Sequence, residues 1–230
     1  MREIVLDTET TGFEPSEGDR LVEIGGVELL NHMPTGRTYH QYINPERDMP
    51  EEAFNIHGLS EEFLRPMPKF VEVAQAFVDF VGGAQLVIHN AAFDMKFLNF
   101  ELERAGFPKL NVKVVDTLAI ARRRFPGSPA SLDALCRRFA IDNSARTLHG
   151  ALLDSEILAE VYLELMGGRQ PDLVLASSGG SRNSGPADTG WRARPRPNPL
   201  PSRLTADEAA AHAAFVEKLG DAAIWKRYEG

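Results

Sequence analysis

The order of the apolar segments is the strongest constraint on what this chain can fold into. Three strand-like stretches come first: Ile4-Val5-Leu6, Leu21 to Leu30 with a Gly25-Gly26 interruption, and Thr38 to Ile43. Helical spacing follows over Phe70 to Val81, then a short buried strand at Leu86-Val87-Ile88 and a helix from about Ala92 to Ala105. Val112 to Val115 reads as another strand. Short helices are expected around Thr117–Arg123 and Ser131–Phe139, and a longer one from about Gly150 to Met166. Strands first, then strands alternating with helices, predict an α/β domain over residues 1–167: a mixed sheet flanked by helices.

The pattern stops near Gly167. Residues 168–200 are rich in Gly, Ser and Pro without periodicity, as in Ser177-Ser178-Gly179-Gly180-Ser181 and Arg194-Pro195-Arg196-Pro197. Such a composition buries too little apolar surface to fold and predicts a flexible linker. Residues 201–230 form a last segment. Thr205 with Glu208 three residues on is a capping box, Ala209 to Leu219 is helix-prone, and Gly220 is a natural stop. Leu219, Ile224, Trp225 and Tyr228 form a small apolar group, too small to fold alone.

A net charge of −8 excludes a generally basic nucleic-acid binder, so any such contact must be local or made through bound cations. The single cysteine, Cys136, excludes an internal disulfide and a cysteine-built zinc site. No apolar run approaches the roughly 20 residues that span a bilayer, and the start is too short and too acidic for a signal peptide. A cytoplasmic location is the expectation.

The acidic residues carry the chemistry. Side chains alternate along a strand, so Asp7 and Glu9 share one face at the end of an apolar strand. Such a pair is costly to desolvate and suits a divalent cation, although a solvated strand end would serve as well. Asp154 is sharper. On its helix it shares a face with Ala151, Leu158, Val161 and Leu165, which puts a carboxylate in the middle of an apolar stripe. A lone acid there would protonate or destabilise the fold; a metal, or hydrogen bonds to backbone, resolves the conflict. His149 lies at the start of that helix and suits proton transfer from water, or a simple cap. Asp94 falls in the first turn of the helix after Leu86-Val87-Ile88, where an acid also complements the helix dipole. His89, Asp116 and Asp133 read as structural, the two acids as helix-start residues.

Three motifs in order, Asp7-Thr8-Glu9-Thr10-Thr11-Gly12, His89-Asn90-Ala91-Ala92-Phe93-Asp94 and His149-Gly150-Ala151-Leu152-Leu153-Asp154, resemble those of the DEDDh exonucleases, and within them the proofreading subunits of bacterial replicative polymerases. The resemblance covers residues 1–167. It implies an RNase H-like fold of five mixed strands and two Mg2+ or Mn2+ ions held by Asp7, Glu9, Asp94 and Asp154. His149 would be the general base for water attacking the terminal phosphodiester of a single-stranded or mispaired DNA 3′ end, releasing a 5′-mononucleotide. Asp7, Glu9, Thr10, Glu52, His57 and Asp154 would contact the substrate. In the linker, Gln170, Leu173 and Leu175 resemble the short motif that docks on a sliding clamp, with Ala176 where an aromatic is common. Residues 201–230, with Leu219, Ile224, Trp225 and Tyr228, resemble a segment that docks on the catalytic subunit of the polymerase. Two other functions compete: a free-standing nuclease trimming RNA or oligonucleotide 3′ ends, which would need no docking tail, and a catalytically dead adaptor, which would not need all five site residues.

Overall fold

A computed structural model describes residues 1–144, 146, 148–168 and 204–220. They belong to two compact units, divided between Leu175 and Ala176. The first is built on one five-stranded sheet. Its strands are β1 (Arg2–Thr10), β2 (Leu21–Leu30), β3 (Met33–Tyr42), β4 (Gln85–Ile88) and β5 (Val114–Asp116), in the spatial order β3-β2-β1-β4-β5. β1 is central. It pairs antiparallel with β2 and parallel with β4.

The expected mixed α/β architecture is present, with informative differences. β2 runs unbroken through Gly25-Gly26, because both of its edges are paired. β3 starts five residues before Thr38, since Asn31 and His32 both adopt positive φ (52° and 66°) and make a two-residue hairpin. A helix absent from the sequence reading, α1 (Glu51–His57), follows β3, and α2 (Glu61–Leu64) adds one turn. The remaining helices fall close to expectation: α3 (Phe70–Val81), α4 (Ala91–Arg104), α5 (Thr117–Arg124), α6 (Leu132–Phe139) and α7 (Ala151–Leu165).

Alternation along β1 divides the core. Ile4 and Leu6 face α3 and α4, where Phe77, Phe97 and Leu98 are fully buried. Val5 faces the other way, with Val27, Leu29 and Val87, onto Leu158, Val161 and Tyr162 of α7. Full burial of each such side chain contributes roughly 1.5–3 kcal/mol. Covering both faces leaves the ends of the strands as the place where polar chemistry can reach solvent.

The second unit is described over one helix, α8 (Ala206–Lys218). Thr205 and Glu208 form the expected capping box.

Candidate active site

Asp7 and Glu9 have the parity of Val5, so both point to the face that α7 covers. Across the ladder they oppose Gly25 and Glu23, and a register shift after Glu9 ends the regular pairing. Gly25 is what lets α7 come close: a Cβ there would lie 2.1 Å from the Ala151 backbone carbon. Ser155 Oγ donates to the Gly25 carbonyl at 3.0 Å. Glu23 accepts from the Ala151 amide at 3.2 Å, giving the helix start a cap that Gly150 lacks. The docked helix brings in Asp154, 3% exposed. Asp94 arrives from the first turn of α4, 2% exposed, and accepts from Thr8 Oγ1 at 2.8 Å.

Donor atoms of Glu9, His149 and Asp154 lie within 4.8 Å of one another. Asp7 and Asp94 stand outside that tight group, yet are coupled to it by charge. Burial, and then the charge of Asp94, Glu9 and Asp154, push the Asp7 carboxyl well above its usual value. Glu9 is pushed up to about 8 by burial and then by Asp154, and burial raises Asp94 to about 7. Asp154 differs. Burial works against its charge, but the nearby His149 ring and the paired hydrogen bonds from Arg146 outweigh it and hold the carboxyl below its usual value. Hard oxygen donors with too little positive charge between them suit divalent cations, so the residues fit such ions.

Asp7, Glu9, Asp94 and His149 line a cavity of about 620 Å3, together with Thr10, Glu52 and His57. His149 is half-exposed, and its amide donates to the Ile56 carbonyl of α1 at 3.1 Å. His57 is 5% exposed; its Nδ1 accepts from the Leu59 amide at 3.0 Å, which leaves the proton on Nε2. That Nε2 makes no well-formed hydrogen bond among the described residues. Burial lowers the His57 pKa, with the Thr10 backbone acting the other way. Thr10 Oγ1 donates to the Gly12 carbonyl at 2.6 Å.

The residues read as structural also find their places. Asp116 caps α5, and His89 Nδ1 lies 2.9 Å from Thr117 Oγ1, with its ring at the cavity wall. Asp133 is in the first turn of α6, where Ser131 is the cap, and it reaches Arg146 at 2.9 Å. Glu23 and Arg146 escaped the sequence reading. Leu219 ends α8 and is 44% exposed. Gln170, Leu173, Leu175, Ile224, Trp225 and Tyr228 lie outside the described residues.

Sheet order and gathered acids fit an exonuclease of the RNase H-like fold. An exonuclease family of the RNase T type matches residues 4–162. The chain belongs to the DNA polymerase III subunit epsilon family. It is 47% identical to that subunit of Escherichia coli K12 over 98% of this chain and 97% of the other. It is 57% identical to that of Rickettsia conorii over 74% of this chain and 76% of the other. Among solved structures, Exonuclease X in complex with 5′ overhanging duplex DNA is similar at a TM-score of 0.57 and 25% identity, covering 71% of this chain and 90% of that one. The fold is shared with the nuclease domain of 3′hExo, a DEDDh family member bound to rAMP (TM-score 0.62, 19% identity, 72% and 91% covered).

Proposed function

We propose that Asp7, Glu9, Asp94 and Asp154 hold two divalent cations, Mg2+ or Mn2+, and that His149 is the general base of phosphodiester hydrolysis. The activity served is that of the family, a 3′→5′ exonuclease that proofreads as a subunit of DNA polymerase III. One observation carries the site reading: four carboxylates from β1, α4 and α7 converge at one end of the sheet, three of them driven toward protonation by burial first and, for Asp7 and Glu9, then by neighbouring acids. When bound, the ions would supply activation of water and stabilisation of charge on the phosphate and the departing 3′ oxygen.

The remaining work belongs to the chain. His149 lines the cavity and is half-exposed, and its imidazole takes the proton of the attacking water. Asp154 Oδ2, 3.4 Å from His149 Nδ1, steadies the imidazolium that results. His57 is kept neutral by burial and offers its Nε2–H to the terminal nucleotide. Thr10 and the exposed Glu52 flank the same space and complete the contacts to that nucleotide. Phe13, Ile56 and Phe93 give the wall an apolar part suited to a base.

Domain boundaries at 1–167, 168–200 and 201–230 follow from composition, and the division between Leu175 and Ala176 is compatible with them. In this reading the last segment docks on the polymerase alpha subunit through Leu219, Ile224, Trp225 and Tyr228. Gln170, Leu173 and Leu175 would dock on the sliding clamp. Cytoplasmic work at the replication fork follows from that role. No helix among the described residues is long and apolar enough to cross a membrane.

The test is release of 5′-mononucleotides from a mispaired DNA 3′ end with Mn2+, compared with Asp7→Ala and Asp154→Ala. Each substitution should cut the rate by about 10³-fold. Release at the wild-type rate by either variant would sink the assignment.

A further inference from the structure

Arg146 lies inside the acidic site, its side chain only 8% exposed. Its Nε donates to Asp154 Oδ1 at 2.5 Å and its Nη2 to Asp154 Oδ2 at 2.7 Å. One guanidinium therefore takes both oxygens of this carboxylate, in the fork geometry that suits it. Nη1 donates to Asp133 Oδ1 at 2.9 Å, and Asp133 also accepts from Asn143 Nδ2 at 2.9 Å. Nη2 also lies 2.9 Å from His149 Nδ1. A donor in that position makes Nδ1 an acceptor, so His149 cannot at the same time donate an Nδ1–H to Asp154. Asp154 is also the acid of the four that does not line the cavity.

We propose that Arg146 is a built-in counter-cation, anchored on Asp133, that holds both oxygens of Asp154 while the site is free of divalent ions and yields them as ions are taken up. The inference rests on the reading of the four acids as ion ligands. Clustered carboxylates repel one another, and the guanidinium relieves that repulsion at Asp154. A divalent ion on the same oxygens would lie within a few ångström of the guanidinium and repel it. The Asp133 contact keeps the displaced group nearby, so its return is intramolecular. Departure of Nη2 from His149 frees Nδ1 to donate to Asp154, the orientation a general base at the other ring nitrogen requires. Ion uptake and arming of the base are then one event.

The experiment is a Mn2+ titration of the full chain, read by the electron paramagnetic resonance of free Mn2+, on wild type, Arg146→Gln, Arg146→Lys and Asp7→Ala. Removing the competing charge should tighten Mn2+ binding about tenfold in Arg146→Gln. Arg146→Lys, which keeps the charge, should stay near wild type. A role in folding alone would move the melting temperature without tightening Mn2+ binding. Mn2+ binding by Arg146→Gln that equals or falls below wild type overturns the proposal, as does an equal gain in Arg146→Lys. Asp7→Ala separates the two readings: if it leaves Mn2+ binding intact, the ion-ligand assignment itself has failed. A second arm follows the Arg146 15Nε–H resonance in wild type, which should shift on saturation with Mg2+. A resonance that stays in place at saturation overturns the exchange.

Discussion

At the scale of single residues, the site is a problem of charge. Glu9 and Asp94 hold protons more tightly in the folded chain than their ordinary values of 4.5 and 3.8 allow, reaching about 8 and about 7. Between the ordinary and the folded values the native state binds more protons than the unfolded chain. The stability this contributes is present below the unfolded value and is lost as pH rises through the folded one. In chelator, Glu9→Gln should therefore gain melting temperature relative to wild type between pH 5 and pH 8, and saturating Mn2+ should shrink the difference. A constant gap across that window would contradict the assignment. Asp154 was legible in the sequence because it violated a local rule, a carboxylate in an apolar stripe, whereas Asp94 obeys one and came in with its motif. Arg146 was not legible. Its partners Asp133, His149 and Asp154 lie 13, 3 and 8 residues away, a set of spacings that fits no single periodic element.

At the scale of elements, periodicity found what is amphipathic and missed what is not. α3 buries a well-defined face and α7 most of its circumference, and both fall close to where the sequence pattern puts them. α1 buries only Ala53 and His57 and so shows no apolar stripe, yet it forms part of the cavity wall and accepts the His149 amide. Its end is set by Gly58 at φ 72°, where a Cβ would also come within 2.6 Å of Leu148 Cδ1. Gly58→Ala should thus cost about 1–2 kcal/mol in stability. It should also lower kcat through the displaced His149 segment; chemical denaturation and steady-state kinetics check the two parts. Unchanged turnover in a destabilised variant would show that α1 does not position the base. The sequence shows the Gly25-Gly26 pair only as an interruption of the strand pattern. The structure uses Gly25 for close approach, a requirement set by α7 more than a hundred residues on.

At the scale of the whole molecule, a chain with a net charge of −8 acts on a polyanion, and the cavity proposed for that work is itself lined by acids. Cations resolve that conflict locally, and attachment to a larger assembly would resolve it globally by supplying the substrate end. Removing residues 201–230 should abolish co-purification with the polymerase alpha subunit and leave release of mononucleotides from short single strands unchanged. Co-purification that survives the deletion would refute the docking role of the tail. The composition shift near Gly167 is what suggests this division, because a packed sheet and a Gly-Ser-Pro tract obey different rules of burial.

The capping of α7 by Glu23 spans 128 residues of chain, and Thr8 reaches Asp94 across 86. The proposed site therefore draws on the first strand, on α4 and on the last described helix of its unit, and no shorter piece contains it. During synthesis the polypeptide emerges acid by acid, and the final acid arrives only when that helix has left the ribosome and docked. If the four acids are the ion ligands proposed, a product truncated before α7 lacks Asp154 and should not cut nucleic acid. The nuclease has a delayed birth, written into the order of its strands and helices.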